Sequence, residues 1–485
     1  MHHLQFPSPQ AVFRHFCAIA AIPHGSGNTA AIRAYCRETA DSLGLSAKED
    51  AAGNLIIRKP ASKGAEKAPA VILQGHLDMV CAQLPECTKD MQTEGLDLRM
   101  EGDFLFAEGT TLGGDDGIAI AYALAILESD TIVHPPLTVL LTNDEEIGLL
   151  GAGGLAEGEV EGAYLLNLDS EKEGEFIVGC AGGARVDMTF SFRREMVSGV
   201  RATLSLTGLS GGHSGTEIHR PLLNANCGMA KLLSSIAVPM HLCTWQGGTR
   251  DNVITADATA SVLLAPQDQA QVMAALQTCE QSLRQQYPEE TQLHLAIAWE
   301  QDVTCSALTA ESTAVVLEHL CSLPQGVTCW HETLHMPKTS LNLGIVELTE
   351  TSLLAVCSVR SLSDSERDAL AETLCRAAQS HGGTARCHAA YPAWDYVPDS
   401  KLEQIACNAF TACYGTKPQV LTIHAGLECG VICAKCSGLE AISFGPDLYD
   451  IHSPRERLSI ASTVRTWKLL LRMLSDIAAI SDGQA

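Results

Sequence analysis

Three short apolar runs in the first part of the chain each stop at a histidine or an acid. Val71-Ile72-Leu73 leads through Gln74 and Gly75 into His76-Leu77-Asp78. Leu137–Thr142 leads into Asn143-Asp144-Glu145-Glu146, and Tyr164–Leu168 into Asp169. Apolar runs of this length read as strands buried on both faces. The wholly apolar stretch Ile118–Leu127 lies between the first two and reads as a buried helix. Buried strands alternating with helices make a mostly parallel α/β sheet, whose ligands gather outside the carboxyl ends of the strands. That rule sends His76, Asp78, Asp115, Glu145, Glu146 and Asp169 to one crevice.

Each piece alone is weak. His-x-Asp is a common spacing, and a run of acids is usually a solvated loop. Gly75 reads as a point where the backbone turns freely. In Gly113-Gly-Asp115-Asp116-Gly117, Asp116 reads as a cap for the following helix, which leaves Asp115 to face the crevice. The clustering is far more specific than any member of it.

Charge narrows the function classes. With 32 Lys plus Arg against 57 Asp plus Glu, the net charge of −25 repels phosphate backbones and argues against nucleic acid. No uninterrupted apolar stretch is long enough to span a membrane. The 19 cysteines are odd in number and scattered, and the opening Met1-His-His-Leu-Gln-Phe-Pro-Ser-Pro has no signal-peptide pattern. Free thiols in a reducing cytoplasm follow. Cys433-Ala-Lys-Cys436 lacks a second pair for a structural zinc and reads as packing.

At 485 residues, 46% hydrophobic, two or three domains are expected. Two helices fill residues 10 to 45, with Asn28 a plausible cap for the second. Asn54–Arg58 is a strand, and the polar stretch 61–67 a hairpin loop before the Val71 strand. After Gly179–Ala184 the pattern alternates, as in Arg185–Phe192 and Ala202–Thr207, which fits a half-exposed antiparallel sheet. Leu222–Ile236 reads as a helix and Asn252-Val-Ile-Thr as the start of a strand. Residues 265–390 match the preceding half in size and pattern, so an internal duplication is one reading, though no sequence repeat supports it. From Tyr391 the helix and buried-strand texture returns, ending in an amphipathic helix from about Ile460 to Ile480. The expected division is a catalytic α/β domain at 1–184 and 393–485, interrupted by an inserted α+β domain at 185–392.

Two zinc ions sharing a carboxylate need five or six N/O ligands, and a further carboxylate nearby serves as general base. The acids and histidines above suffice. The ordered set His76-Leu-Asp78, Gly113–Gly117, Asp144–Gly148, Asp169, Gly-His213-Ser-Gly215 and His452 resembles the co-catalytic di-zinc peptidase family that contains the carnosinases. His424–Gly430, Ser443–Pro446 and the long insertion are similar to its bacterial members. The resemblance covers nearly the whole chain.

It implies a three-layer catalytic domain, two zinc ions (cobalt or manganese substituting) and hydrolysis of Xaa-His dipeptides, β-alanyl-histidine included. A tripeptide aminopeptidase, carboxypeptidase or N-acyl amino acid hydrolase is the alternative, and a non-catalytic scaffold the rival class. Asp115 would bridge the metals, His76 and Asp169 completing one ion and Glu146 and His452 the other. Asp78 would orient His76, and Glu145 would be the base. In the family the peptide after the bridging acid is often cis. The insertion would be a lid and homodimerisation module, with His213 on the oxyanion and Asn252 and Arg360 on substrate. Outside the resemblance, a capped loop accounts for His213 and a surface ion pair for Arg360. The roles of His424 and Glu428 stay open.

Overall fold

The computed structural model describes residues 4–480, so Met1–His3 of the opening stretch lie outside it. The chain forms two compact units. The first gathers residues up to Cys180, Trp394–Thr422 and those from Leu427 onward; the second spans Ala181–Ala393 with Ile423–Gly426.

The first unit is built on an eight-stranded sheet. Its order is Ser46–Glu49, Leu55–Lys59, Leu137–Thr142, Val71–His76, Tyr164–Asn167, Glu440–Ser443, Glu175–Cys180 and Gln419–Ile423. Its four middle strands, Leu137–Thr142 through Glu440–Ser443, run parallel. Leu55–Lys59, Ser46–Glu49 and Glu175–Cys180 pair antiparallel. The Val71–His76 strand is buried along its whole length. Val71 and Leu73 join the core formed with the helices Gln10–Ala20 and Gly114–Glu128, while Ile72 on the opposite face is equally buried. Cover on both faces is what a run without polar alternation requires. A small sheet, ordered Leu448–Tyr449, Arg457–Ser459, Phe104–Ala107 and Leu98–Glu101, lies beside it in the chain's first unit.

Local expectations change in four places. Thr29, not Asn28, holds the N-cap position of the Ala30–Ser42 helix, while Asn28 donates to the Gln92 carbonyl. The 61–67 loop is not a hairpin, because Leu137–Thr142 lies between the strands it joins. Gly75 does not turn the chain; it is a strand residue whose missing Cβ leaves room for Ala119 and the Asp116 carboxylate. Asp116 does not cap its helix. Asp115 and Asp116 have non-helical backbones, and Asp116 accepts from the His76 amide at 3.1 Å.

The second unit is built on an antiparallel nine-stranded sheet, ordered from His294–Leu308 through Arg194–Thr207, Ala258–Leu264, Met240–Gly247, Met336–Leu348 and Ser352–Ser361 to Gly182–Ser191 and Thr384–Tyr391, with Gly326–His331 paired to Met336–Leu348. Residues from four helices, among them Met229, Leu276, Leu320 and Leu374, join its core. The expected helix at 222–236 is shorter, Ala225–Ser234, because Asn224 caps it by accepting from the amides of Asn226 and Cys227. Among the described residues no cysteine forms a disulfide. Among the described residues no helix is long and apolar enough to cross a membrane.

Candidate metal centre

The parallel strands deliver their carboxyl ends to one place. His76 is the last residue of its strand, and Asp169 follows Tyr164–Asn167. Glu145 and Glu146 sit in the turn after Leu137–Thr142, and Asp115 stands at the irregular start of the Gly114–Glu128 helix. His452 comes from the loop between Leu448–Tyr449 and Arg457–Ser459, with a left-handed φ of 58°. A non-glycine residue in that region is sparsely populated and held there by its surroundings.

The two oxygens of Asp115 face different imidazoles. Oδ1 is 3.0 Å from His76 Nε2, and Oδ2 is 3.1 Å from His452 Nε2. His76 Nε2 is also 3.5 Å from Asp169 Oδ1, and His452 Nε2 is 2.9 Å from Glu146 Oε1. Three overlapping sets bring one ligand atom per residue within 4.8 Å of each other: His76, Asp116 and Asp169; His76, Glu145 and Glu146; Asp115, Glu146 and His452. Two imidazoles among so many carboxylates form a donor set for hard or borderline divalent cations. Glu146 Oε1 is buried beside His452 Nε2, a pairing that suits two ligands of one cation. The residues fit a pair of metals. The Asp115–Asp116 peptide is cis.

Asp78 meets the His76 imidazole through its backbone and, at longer range, through its carboxylate. Its carbonyl oxygen is 2.9 Å from His76 Nδ1. A carbonyl only accepts, so Nδ1 carries a proton and Nε2 turns to the cluster. The carboxylate stands 3.6 Å from Nδ1 and is engaged elsewhere. It accepts from the amides of Glu145 (2.8 Å) and Glu146 (3.3 Å) and from the Ser26 hydroxyl (2.7 Å). One residue thus orients His76 through its backbone and the Glu145-Glu146 turn through its side chain.

Titration follows from crowding in a buried place. Burial pushes Asp169 up to about 7, with Asp115 and Glu146 adding to it against the pull of His76. Burial likewise holds Glu145 well above the usual carboxylate range, reinforced by Asp169, Glu428 and Glu146. Burial opposes charge on His452, yet Asp115 and Glu146 outweigh it and lift its pKa to about 11. His76 is raised for the same reason, by Asp169, Asp115 and Asp78 against burial. Cations binding among these residues would displace protons.

Two contributors, Ser26 and Glu456, escaped sequence reasoning, and a third, Glu428, was named without a role. Ser26 braces Asp78, and nothing in its loop marks it. Glu428, left open above, is fully buried; its Oε2 accepts from Gln74 (2.5 Å) and Thr142 (2.6 Å) at the ends of two central strands. Glu456 accepts from backbone amides at residues 112–115.

The remaining candidates lie in the second unit. His213 pairs with Val253 in a two-stranded ribbon, and Ser214 donates to the Asn252 carbonyl at 2.9 Å. The Thr216 amide donates to His213 Nδ1 at 3.2 Å, so the capped loop is present. Arg360 is not in a surface ion pair. It is buried on the Ser352–Ser361 strand and donates to the Tyr391 hydroxyl at 2.9 Å. Asn252 is exposed. His424 is buried, 2.8 Å from Ser340 Oγ, and burial, then Arg360 and His219, push its pKa down to about 3.

The chain belongs to Peptidase family M20/M25/M40, which it matches over residues 72–476, and it is a metallopeptidase. It is 34% identical over 485 residues to the cytosol non-specific dipeptidase of Escherichia coli K12, covering 99% of this chain and all of that one. The structure of aminoacylhistidine dipeptidase from Vibrio alginolyticus superposes with a TM-score of 0.85 at 33% identity, covering 98% of both chains. A tripeptidase from Staphylococcus aureus, at 15% identity, TM-score 0.57 and coverage of 97% and 99%, shares the fold.

Proposed function

We propose that this protein is a dinuclear dipeptidase that hydrolyses Xaa-His dipeptides, β-alanyl-histidine included, in the cytoplasm. The observation that carries the two-metal reading is Asp115, whose two oxygens face His76 and His452 on opposite sides. The substrate reading rests on the full-length likeness to two dipeptidases. Residues 1–184 and 393–485 form the catalytic domain of this proposal, and 185–392 the inserted lid, through which two chains would form a homodimer.

His76 and Asp169 would hold one cation, Glu146 and His452 the other, and Asp115 both. Zinc suits the set, with cobalt or manganese able to substitute. When bound, the pair supplies Lewis acidity, polarising the scissile carbonyl and acidifying a water. Glu145 takes the proton from that water as it attacks and passes it to the departing amine nitrogen. Asp78 holds Glu145 for this through the amide at 2.8 Å. His213 would stabilise the developing oxyanion, with Arg360 on the substrate carboxylate and Asn252 beside it.

The test uses metal-analysed protein on Xaa-His dipeptides, tripeptides and N-acyl amino acids. Fastest turnover is expected on the Xaa-His series; faster tripeptide or N-acyl hydrolysis overturns the substrate class. Glu145→Ala should lose at least about a hundredfold in kcat while still binding two metals. Near-normal turnover in that variant removes Glu145 as base.

A further inference from the structure

We propose that Glu456 is a positioning residue of the metal centre, setting the place of Asp115 by gripping the backbone that carries it. The proposal rests on the two-metal reading above. Glu456 is only 3% exposed. Its Oε2 accepts from the amides of Leu112 (2.8 Å) and Gly113 (3.1 Å). Its Oε1 accepts from Gly114 (2.8 Å) and sits 3.4 Å from the Asp115 amide. A carboxylate drawing in successive amides at a helix start makes charge-assisted bonds that a neutral acceptor cannot match. Leu112, Gly113 and Gly114 are buried, so amides released from Glu456 would have no water to turn to.

Sterics show that this approach is built in. Gly113 has a φ of 65°, the left-handed region that favours glycine. A Cβ on Gly114 would lie 2.5 Å from a Leu448 methyl and 3.2 Å from Glu456 Oε1. The two glycines let the chain close on the carboxylate.

The same short loop carries His452. That loop grips the Asp115 backbone through Glu456 and sets His452 Nε2 3.1 Å from Asp115 Oδ2. Within the loop the Glu456 amide donates to the Ser453 carbonyl at 3.0 Å. Glu456 therefore fixes the separation of two ligand residues 337 positions apart in the chain. Groups that hold metal ligands in place are worth about 10–100-fold in metal affinity or activity.

The experiment compares wild-type, Glu456→Gln and Glu456→Asp full-length protein. Zinc affinity is read by competition with a chromophoric chelator, and the cobalt-loaded forms by visible absorption. Glu456→Gln keeps the size but turns an NH2 toward two of the four amides. It should bind at least one cation about 10–100-fold more weakly, change the cobalt spectrum and lower kcat with little change in KM. A merely structural role lowers the melting temperature of the cation-free protein but leaves zinc affinity and cobalt spectrum as in wild type; that result overturns the proposal. Should the Gln variant not fold, Glu456→Asp, which keeps both acceptors on a shorter arm, must show a milder change of the same spectrum, and a wild-type spectrum there is equally fatal. Asp115→Ala runs in parallel. If it binds two cations as tightly as wild type, the metal-centre reading falls. If it loses metal while Glu456→Gln behaves as wild type, only the role of Glu456 falls.

Discussion

His319 is a buried residue with no chemistry to perform, and it still titrates. It lies between the rings of Phe190, 4.5 Å away, and His381, 5.2 Å away, with neither nitrogen hydrogen-bonded among the described residues. Burial, helped by His381, pushes its pKa down to about 4 from an ordinary 6.5. Below pH 6.5 the unfolded chain takes up a proton there that the folded chain refuses. Folding stability is therefore complete above pH 6.5, falls as pH drops toward 4, and levels off below that. The loss is on the order of 3 kcal/mol. Urea denaturation at pH 7 and pH 5 should show His319→Leu losing less stability between the two than wild type does. Equal losses would mean that His319 is protonated in the fold. Residues of this kind are invisible in a sequence, because a histidine on an apolar helix face looks the same with or without a partner. The cluster residues were legible because residue type and strand end coincide, as at His76 and Asp169. The double use of Asp78 was not: its side chain accepts from two backbone amides and the Ser26 hydroxyl, groups that carry no signal in the sequence.

Element boundaries were legible where an apolar run fills the element, as in Leu137–Thr142; the helix expected at Ile118–Leu127 begins earlier, at Gly114, through the irregular turn at Asp115 and Asp116. Strand order was not, since nothing in residues 55–76 says that a later strand inserts between two earlier ones. Gly75 shows how a residue read for backbone freedom serves packing instead. A Cβ there would collide with the Asp116 carboxylate and lie 2.6 Å from the Ala119 methyl. Gly75→Ala should push the Gly114–Glu128 helix off its strand and cost about 1–3 kcal/mol, as overpacked cores do. Asp116 would lose its bond from the His76 amide. Chemical denaturation measures the first effect and zinc affinity the second; a variant as stable and as tightly metal-binding as wild type would show that the helix yields freely.

At the scale of the molecule, a net charge of −25 at pH 7 and a cluster of buried carboxylates favour cations. Protons compete with them. With Asp169 near 7 and His452 near 11 in the cation-free protein, metal binding must expel protons. Zinc should bind more tightly at pH 8 than at pH 6, with acid released into weakly buffered solution. An affinity independent of pH would mean that these groups are already unprotonated.

The order of strands in the central sheet also sets a timetable. Glu175–Cys180 lies between Glu440–Ser443 and Gln419–Ile423, both encoded far downstream. During synthesis at about 5–20 residues per second, that strand emerges long before either neighbour exists. For tens of seconds the nascent sheet ends at Tyr164–Asn167 with an open edge, the kind of surface that invites pairing with another chain. His452 is made later still, so a ribosome-bound chain cannot assemble the proposed ligand set until that residue has been translated.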